Sequence, residues 1–293
     1  MPELPEVETV RRGLEPYVTG AHIDTVALKR KDLRFPFPEG FASALEGATI
    51  ESTSRRAKYL LFRLSTGKTW LSHLGMTGTW RFEDFKFKEP SRYYEPTEDR
   101  KHDHLIVELT HPEHGAMKLI YNDARRFGFM ELFGDDAESA YLAELGPEPL
   151  SNAFNAAEMA ERFKGKKAPM KAALLDQKVV AGLGNIYVSE ALHRAHIRPD
   201  ISAATLVLKS GAPSKRLEDL AEGVRTVLIE AIDAGGSTLR DFRAADGNSG
   251  YFQHRFAVYD REGEPCPTPR CKGVIERIVQ SGRSSFFCPV CQH

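Results

Sequence analysis

The spacing of apolar positions changes along the chain. Near the start, Val7, Val10 and Leu14 recur at helical spacing, which predicts one apolar stripe on a helix. Pro5 suits the first turn of that helix, where its missing N–H is not needed. Glu6 and Glu8 suit the positive end of the helix dipole. From about 20 to 134 the apolar residues fall instead into short runs: Val26-Ala27-Leu28, Tyr59-Leu60-Leu61-Phe62, Trp70-Leu71, Leu105-Ile106-Val107, Lys118-Leu119-Ile120-Tyr121 and Phe129-Met130-Glu131-Leu132. Turn residues such as Ser65-Thr66-Gly67 and His114-Gly115 separate several of them, the pattern of a β-sandwich or barrel. Residues 83–101, rich in charge, proline and tyrosine, read as a long exposed loop. Residues 135–149 read as a connector closed by Gly146-Pro147-Glu148-Pro149. Helical patterning then holds from 156 to about 234, with helices expected over 169–176 and 186–196, and Gly235-Gly236 ends it. Residues 237–253, polar and glycine-containing, read as a mobile loop. There is no internal repeat.

Length and composition add bounds. A chain of 293 residues predicts two domains, or one and an appendage. A hydrophobic content of 41% suffices for ordinary cores. No apolar run reaches the length of about 18 that spans a bilayer, and Glu3, Glu6 and Glu8 make the start unlike a signal peptide. The expectation is a cytosolic protein. Net charge is −1, which argues mildly against a nucleic-acid binder, where a basic footprint is the rule. Basic residues nevertheless cluster at Arg55-Arg56-Lys58, Arg125-Arg126 and Lys164-Lys166-Lys167-Lys171, while acids gather at Asp135-Asp136-Glu138. A segregated basic face and a mixed solvated surface both fit.

The cysteines are more specific. All four lie near the C-terminus, as Cys266-x4-Cys271 and Cys288-x2-Cys291. Two short pairs about 15–20 residues apart match a tetrahedral zinc site. The runs 273–279 and 283–287 read as two strands around Gln280-Ser281-Gly282, so the segment is expected to be a zinc ribbon. Four cysteine ligands leave no open position, which makes one zinc ion structural; no organic cofactor is indicated. Arg277 and Arg283 on the hairpin are either phosphate contacts or plain exposed arginines.

Two further segments hold candidate chemistry. The chain opens Met1-Pro2-Glu3-Leu4-Pro5-Glu6. Once the methionine is removed, Pro2 exposes a secondary amine, and an α-amino group, at a pKa of roughly 7.7–8.0, is closer than lysine to being a neutral nucleophile. A secondary amine forms an iminium that stays cationic, an electron sink. Glu3 and Glu6 stand beside it. An ordinary processed start fits the same residues. The second segment is Gly182-Leu183-Gly184-Asn185, between two expected helices. With Asn185 as N-cap it is either a phosphate clamp at a helix start or a simple capped turn.

Taken in order, Pro2-Glu3-Leu4-Pro5-Glu6-Val7-Glu8-Thr9, Arg55-Arg56-Ala57-Lys58-Tyr59-Leu60, His73-Leu74-Gly75-Met76, Asn122-Asp123-Ala124-Arg125-Arg126-Phe127-Gly128, Gly184-Asn185-Ile186-Tyr187 and the cysteine ribbon resemble the bacterial formamidopyrimidine-DNA glycosylase family. The resemblance covers essentially the whole chain. It implies a multidomain α+β fold: an N-terminal β-sandwich with a leading helix (1–134), a hinge (135–150), a helix–two-turns–helix module with a lesion-binding loop (151–253) and a zinc ribbon (254–293). It implies excision of oxidised purines from double-stranded DNA by a monomer in the cytoplasm at the nucleoid, followed by strand cleavage.

The roles it implies are specific. Pro2 attacks C1′ of the damaged nucleotide and Glu3 moves protons at the sugar. Glu6 orients the site, and Lys58 transfers a proton near the lesion. Arg283 grips the lesion phosphate and serves a second elimination. Met76, Arg125 and Phe127 fill the gap left by the extruded base. His73, His102, Lys166, Lys171 and Asn185 contact phosphates, with His104 and Lys167 as close rivals of His102 and Lys166. Residues 237–251 resemble the loop that binds 8-oxoguanine. Two features depart from the family pattern: x4 in the first cysteine pair, where x2 is common, and the length of the 83–101 loop. An endonuclease VIII-like enzyme for oxidised pyrimidines is the alternative, although that branch usually carries glycine where this chain has Leu4. A non-catalytic DNA-binding protein is the third reading.

Overall fold

The computed structural model describes residues 2–83, 100–134, 139–237 and 250–293. The expected 83–101 loop and the core of the 237–253 loop therefore lie largely outside the described residues, as does Asp135-Asp136-Glu138. The chain divides into two units, Met1–Ala143 with Ile232–Gln253, and Glu144–Ala231 with His254–His293. Residues 232–253, grouped with the helical module in the sequence reading, thus belong with the first unit. The reason is local: Ser237 donates from its backbone N and its Oγ to Glu6 Oε1 at 2.8 and 3.0 Å.

Helix α1 (Leu4–Val18) begins one residue before Pro5. Leu4, Val7, Val10, Leu14 and Val18 lie on its buried face. β1 (His22–Leu28) follows, then the short α2 (Phe41–Leu45), β2 (Ile50–Arg56), β3 (Tyr59–Leu64), β4 (Lys68–His73), β5 (Thr79–Glu83), β6 (Asp103–His111), β7 (Gly115–Asn122), β8 (Phe129–Gly134) and α3 (Ala140–Ala143). The strands form two antiparallel four-stranded sheets, ordered β1-β6-β7-β5 and β2-β3-β4-β8. This is a β-sandwich, and its centre is aromatic. Phe62 stacks on Trp70 at 4.4 Å, Trp70 meets Trp80 at 5.4 Å, and Trp80 meets Tyr121 at 5.0 Å. β2 and β5 were absent from the sequence reading. β5 alternates cleanly, with Trp80 and Phe82 inward. β2 turns inward only Ile50 and Thr53 and gives almost no apolar signal.

The second unit carries α4 (Ala156–Phe163), α5 (Met170–Leu175), α6 (Asn185–Arg194) and most of α7 (Lys215–Asp233), then β9 (Glu276–Gln280) and β10 (Arg283–Phe287). The N-cap of α6 is Gly184, so Asn185 is its first helical residue and not the cap. The turns between α5 and α6 close on Gln177, whose Nε2 donates to Leu175 O and Leu183 O while its Oε1 accepts from Gly182 N. Glu190 of α6 is buried and accepts from the backbone N of Ala257, Val258 and Tyr259 at 2.8–3.0 Å. Burial raises the Glu190 pKa, and the three donors offset part of that cost while they fix the chain where it enters the ribbon.

Candidate functional site

In the first unit the start of α1 is a closed hydrogen-bond box. The backbone N of Glu3 donates to Glu6 Oε2 at 2.8 Å, and the Glu3 carboxylate accepts from the backbone N of Glu6. Such reciprocal capping satisfies helix donors that otherwise have no partner. Pro2 is buried directly before it, and Glu3 and Glu6 are only 3% and 2% exposed. Glu6 also anchors Ser237, so one carboxylate ties the helix start to the base of the segment that follows. That base is further pinned by the Ser237–Tyr251 bridge and by Tyr251 N donating to Ala234 O.

Lys58 sits in the two-residue turn between β2 and β3, where Arg56 pairs with Tyr59. It is buried. Ala57 beside it takes φ of 53°, a left-handed value that non-glycine residues adopt at a cost. Arg55 holds this turn: its Nη1 donates to Ala57 O at 2.8 Å and its Nε to Glu8 Oε2 at 3.3 Å. The Lys58 turn is thereby strapped to α1, the helix that carries Pro2. Arg11 and Arg12 share Glu8, and although burial works the other way, these hydrogen bonds and charges hold the Glu8 carboxyl below its usual range.

His73 ends β4. Burial, then the cations Lys58 and Arg34, push its pKa down to about 4. Its Nδ1 accepts from Gly75 N at 3.1 Å, which leaves the proton of the neutral ring on Nε2. His73 is therefore a neutral N–H donor near pH 7, not a cation. His102 is half-buried, whereas His104 is buried with Nε2 2.9 Å from Asp123 O.

Met76 and Phe127 occupy two loops joined from beneath. The buried Asp123 carboxylate accepts from Thr77 Oγ1 at 2.5 Å and from Gly128 N at 2.8 Å, and Thr77 Oγ1 accepts from Arg125 N at 3.0 Å. A methyl group on Gly75 would collide with the Phe127–Gly128 peptide, so the loops touch backbone to backbone. Above this base the side chains are open. Met76 is half-buried, Arg125 is exposed, and Phe127 is 44% exposed with the Arg125 guanidinium 4.8 Å from its ring centre. Asp123 and Thr77 escaped the sequence reading; an aspartate in a charged run carries no sign of burial.

The other candidates lie in the second unit. Lys166 is half-buried and pairs with Asp176 at 3.5 Å, while Lys167 is exposed. Lys171 is 1% exposed, and its Nζ donates to Ser284 O at 2.6 Å and Ser285 Oγ at 2.8 Å. Its ammonium is thus engaged by the backbone and a side chain of the ribbon. Asn185 Nδ2 donates to the same Ser284 O at 3.1 Å. Arg283, next in sequence, is exposed at the tip of the β9–β10 hairpin. The hairpin turn is Ser281-Gly282, both residues at positive φ (49° and 74°), the pairing a tight two-residue turn requires.

The four cysteine sulfurs lie within 4.8 Å of one another, with Cys266–Cys291 and Cys271–Cys288 both at 3.7 Å. Zinc–sulfur bonds of about 2.3 Å in a tetrahedron require sulfur–sulfur edges of about 3.8 Å. The set fits one structural zinc ion, and the x4 spacing leaves the convergence intact. The longer knuckle brings in Thr268, whose Oγ1 is 3.2 Å from His193 Nε2; that nitrogen is 3.5 Å from Cys266 Sγ. His193 of α6 thus borders the metal site, an outer partner that the cysteine spacing gave no hint of.

Comparison with known proteins agrees with this architecture. The family model of the formamidopyrimidine-DNA glycosylase N-terminal domain matches residues 1–130. That of the family's H2TH domain matches 145–243, and a zinc finger found in FPG and IleRS matches 263–293. The chain belongs to the formamidopyrimidine-DNA glycosylase family. It is 56% identical over 296 residues to the formamidopyrimidine-DNA glycosylase of Rhodopseudomonas palustris (strain BisA53), covering 100% of both chains. Among solved structures it is similar to the Lactococcus lactis Fpg in complex with an abasic-site-containing DNA (TM-score 0.82, 35% identity, 99% of both chains). It is also similar to the MutM (Fpg) protein of Thermus thermophilus (TM-score 0.79, 41% identity, 99% of this chain and 98% of that one).

Proposed function

We propose that this protein is a bifunctional DNA glycosylase and abasic-site lyase that removes oxidised purines, 8-oxoguanine and formamidopyrimidines, from duplex DNA. The observation that carries the reading is the buried box at the start of α1, with Glu3 and Glu6 closed on each other directly behind Pro2.

With Met1 removed, the Pro2 amine attacks C1′ and the damaged base leaves. The nitrogen lone pair becomes the C–N bond, and the electrons of the glycosidic bond leave with the base. The N–H proton of the adduct passes to the departing base, which restores a lone pair on Pro2 N; Glu3 then delivers a proton to the sugar ring oxygen as the C1′–O4′ bond breaks and that lone pair forms the C=N bond, leaving a cationic iminium. General acid–base help of this kind is worth about 10²–10⁴-fold in rate. Lys58, buried and strapped to α1 through Arg55, assists proton transfer at the lesion. The iminium acidifies the C2′ proton; its loss expels the 3′ phosphate, and a second elimination, assigned to Arg283, expels the 5′ phosphate. Glu6 positions the box and the base of the 8-oxoguanine-binding loop.

Base chemistry at C1′ needs the nucleotide out of the stack. Met76 and Phe127 fill the gap, and Arg125 donates to the orphaned base. The rigid base under these side chains suits insertion, since a wedge transmits force only if its loop does not yield. His73 donates Nε2–H to a phosphate as a neutral group. His102, Lys166 and Asn185 are further backbone contacts. The protein works as a monomer in the bacterial cytoplasm at the nucleoid. Among the described residues no helix is long and apolar enough to cross a membrane.

Matched duplexes carrying 8-oxoguanine or thymine glycol test the assignment of substrate. Excision of 8-oxoguanine at the higher kcat/KM is expected; preference for thymine glycol transfers the protein to the oxidised-pyrimidine reading.

A further inference from the structure

We infer that Lys171 and Asn185 are positioning residues for Arg283, acting through the single carbonyl of Ser284. The inference rests on the assignment of the second elimination to Arg283.

Ser284 O is the first backbone acceptor after Arg283, and it receives two donors: Lys171 Nζ at 2.6 Å and Asn185 Nδ2 at 3.1 Å. Lys171 donates also to Ser285 Oγ at 2.8 Å, and that hydroxyl donates to Gln280 Oε1 at 2.6 Å. Gln280 is the strand partner of Arg283. One buried ammonium therefore grips β10 directly and β9 through the Ser285 hydroxyl, next to the hairpin tip. On the other side of Arg283 stands the tight Ser281-Gly282 turn. The backbone of Arg283 is thus held from both directions while its side chain stays exposed.

Two facts make this more than incidental packing. An isolated two-stranded hairpin is marginally stable in water, so the geometry of its tip depends on what it is tied to. A buried ammonium is costly, and a neutral side chain of the same length would fill the space without that cost; what the charge adds is a short, strong hydrogen bond at a chosen carbonyl. α5 and α6, on either side of the Gln177 turns, supply the two donors, Lys171 from the second position of α5 and Asn185 from the first of α6. The helical module so fixes where the arginine of the ribbon begins.

The test uses the zinc-loaded full chain with an 8-oxoguanine:cytosine duplex under single-turnover conditions. Gel analysis separates strands ending after one elimination from strands ending in phosphate after two. Lys171→Met, Ser285→Ala, Arg283→Gln and the double variant Lys171→Met/Arg283→Gln are compared, with zinc content and circular dichroism confirming the fold. Ser285→Ala serves if Lys171→Met does not fold. In Lys171→Met the ratio of one-elimination to two-elimination product should rise about tenfold, as in Arg283→Gln. The double variant should add nothing further, and Ser285→Ala should move the ratio the same way by less. The salt dependence of binding to a duplex with an uncleavable abasic analogue should have the same slope in the double variant as in Arg283→Gln. An unaltered ratio in Lys171→Met and Ser285→Ala, beside a raised ratio in Arg283→Gln, overturns the inference. So does a double-variant slope reduced by about one beyond that of Arg283→Gln, the mark of a direct phosphate contact by Lys171. If Arg283→Gln leaves the ratio unchanged, the assignment of Arg283 falls first and the inference with it.

Discussion

The two ends of the proposed reaction are built in opposite ways. At the start of α1 the reacting groups themselves are buried: Pro2, Glu3 and Glu6 lie inside, with Glu3 and Glu6 closed on each other by hydrogen bonds. At the β9–β10 tip the reacting group, Arg283, is exposed, and the buried charge is Lys171 behind it. The contrast follows from the chemistry. A nucleophilic amine and a proton-transferring carboxyl need a dry setting that shifts and matches their acidities. A phosphate grip needs a permanently charged guanidinium in reach of solvent, and the burial cost moves to the residue that holds it in place.

The sharpest break between the two regions should come from removing zinc. Chelation, or Cys288→Ser, is expected to unfold the ribbon, since metal binding in such sites is worth on the order of 10 kcal/mol. Both tryptophans, Trp70 and Trp80, lie in the sandwich core. Their emission should therefore stay unchanged while far-ultraviolet dichroism falls and the two-elimination product disappears. A shift in tryptophan emission would show that the two regions unfold together.

Next in size, Glu3→Gln should slow base excision by about 10²–10⁴-fold in single-turnover assays, with affinity for an abasic-analogue duplex retained. Asp123→Ala should lower stability by about 3 kcal/mol, because Thr77 and Gly128 N lose their acceptor. Phe127→Ala, on top of the same base, should change stability by less than about 0.5 kcal/mol yet impair extrusion of the base. Calorimetric melting beside a fluorescent base-analogue assay separates them; equal destabilisation would mean that Phe127 is core.

A pH dependence is expected as well. His73 has a folded pKa of about 4, below the unfolded value of about 6.5. The unfolded chain therefore binds more protons between those values, so this contribution is complete above about 6.5 and is lost as pH falls toward 4. After allowance for partial exposure it amounts to about 1–3 kcal/mol. Denaturant titrations of the wild type and His73→Asn from pH 4 to 8 should show the loss only in the wild type. Parallel curves would assign the acid sensitivity elsewhere.

Sequence reading reached those parts whose signal is local. The stripe Val7, Val10, Leu14 and the cysteine spacing depend on neighbours a few residues away, and both features stand in the structure. Residues whose surroundings depend on distant partners were not legible in this way. Lys171 looks like a surface lysine until Ser284, 113 residues later, is placed against it. Asp123 acquires its role from Thr77, 46 residues earlier. β2 stayed hidden because two inward positions in seven leave no period to detect. Residues 232–253 followed the helices in sequence, but the Glu6–Ser237 bonds group them with α1.

Pro2, beside the buried box at the start of α1, is proposed to form the covalent bond to DNA. Borohydride reduction during reaction with an 8-oxoguanine:cytosine duplex, using protein whose first residue is confirmed as proline, tests it directly. A stable protein–DNA adduct is expected, which peptide mass mapping places on Pro2 and which Glu3→Gln forms far more slowly. No adduct, or an adduct mapped to a lysine such as Lys58, contradicts it.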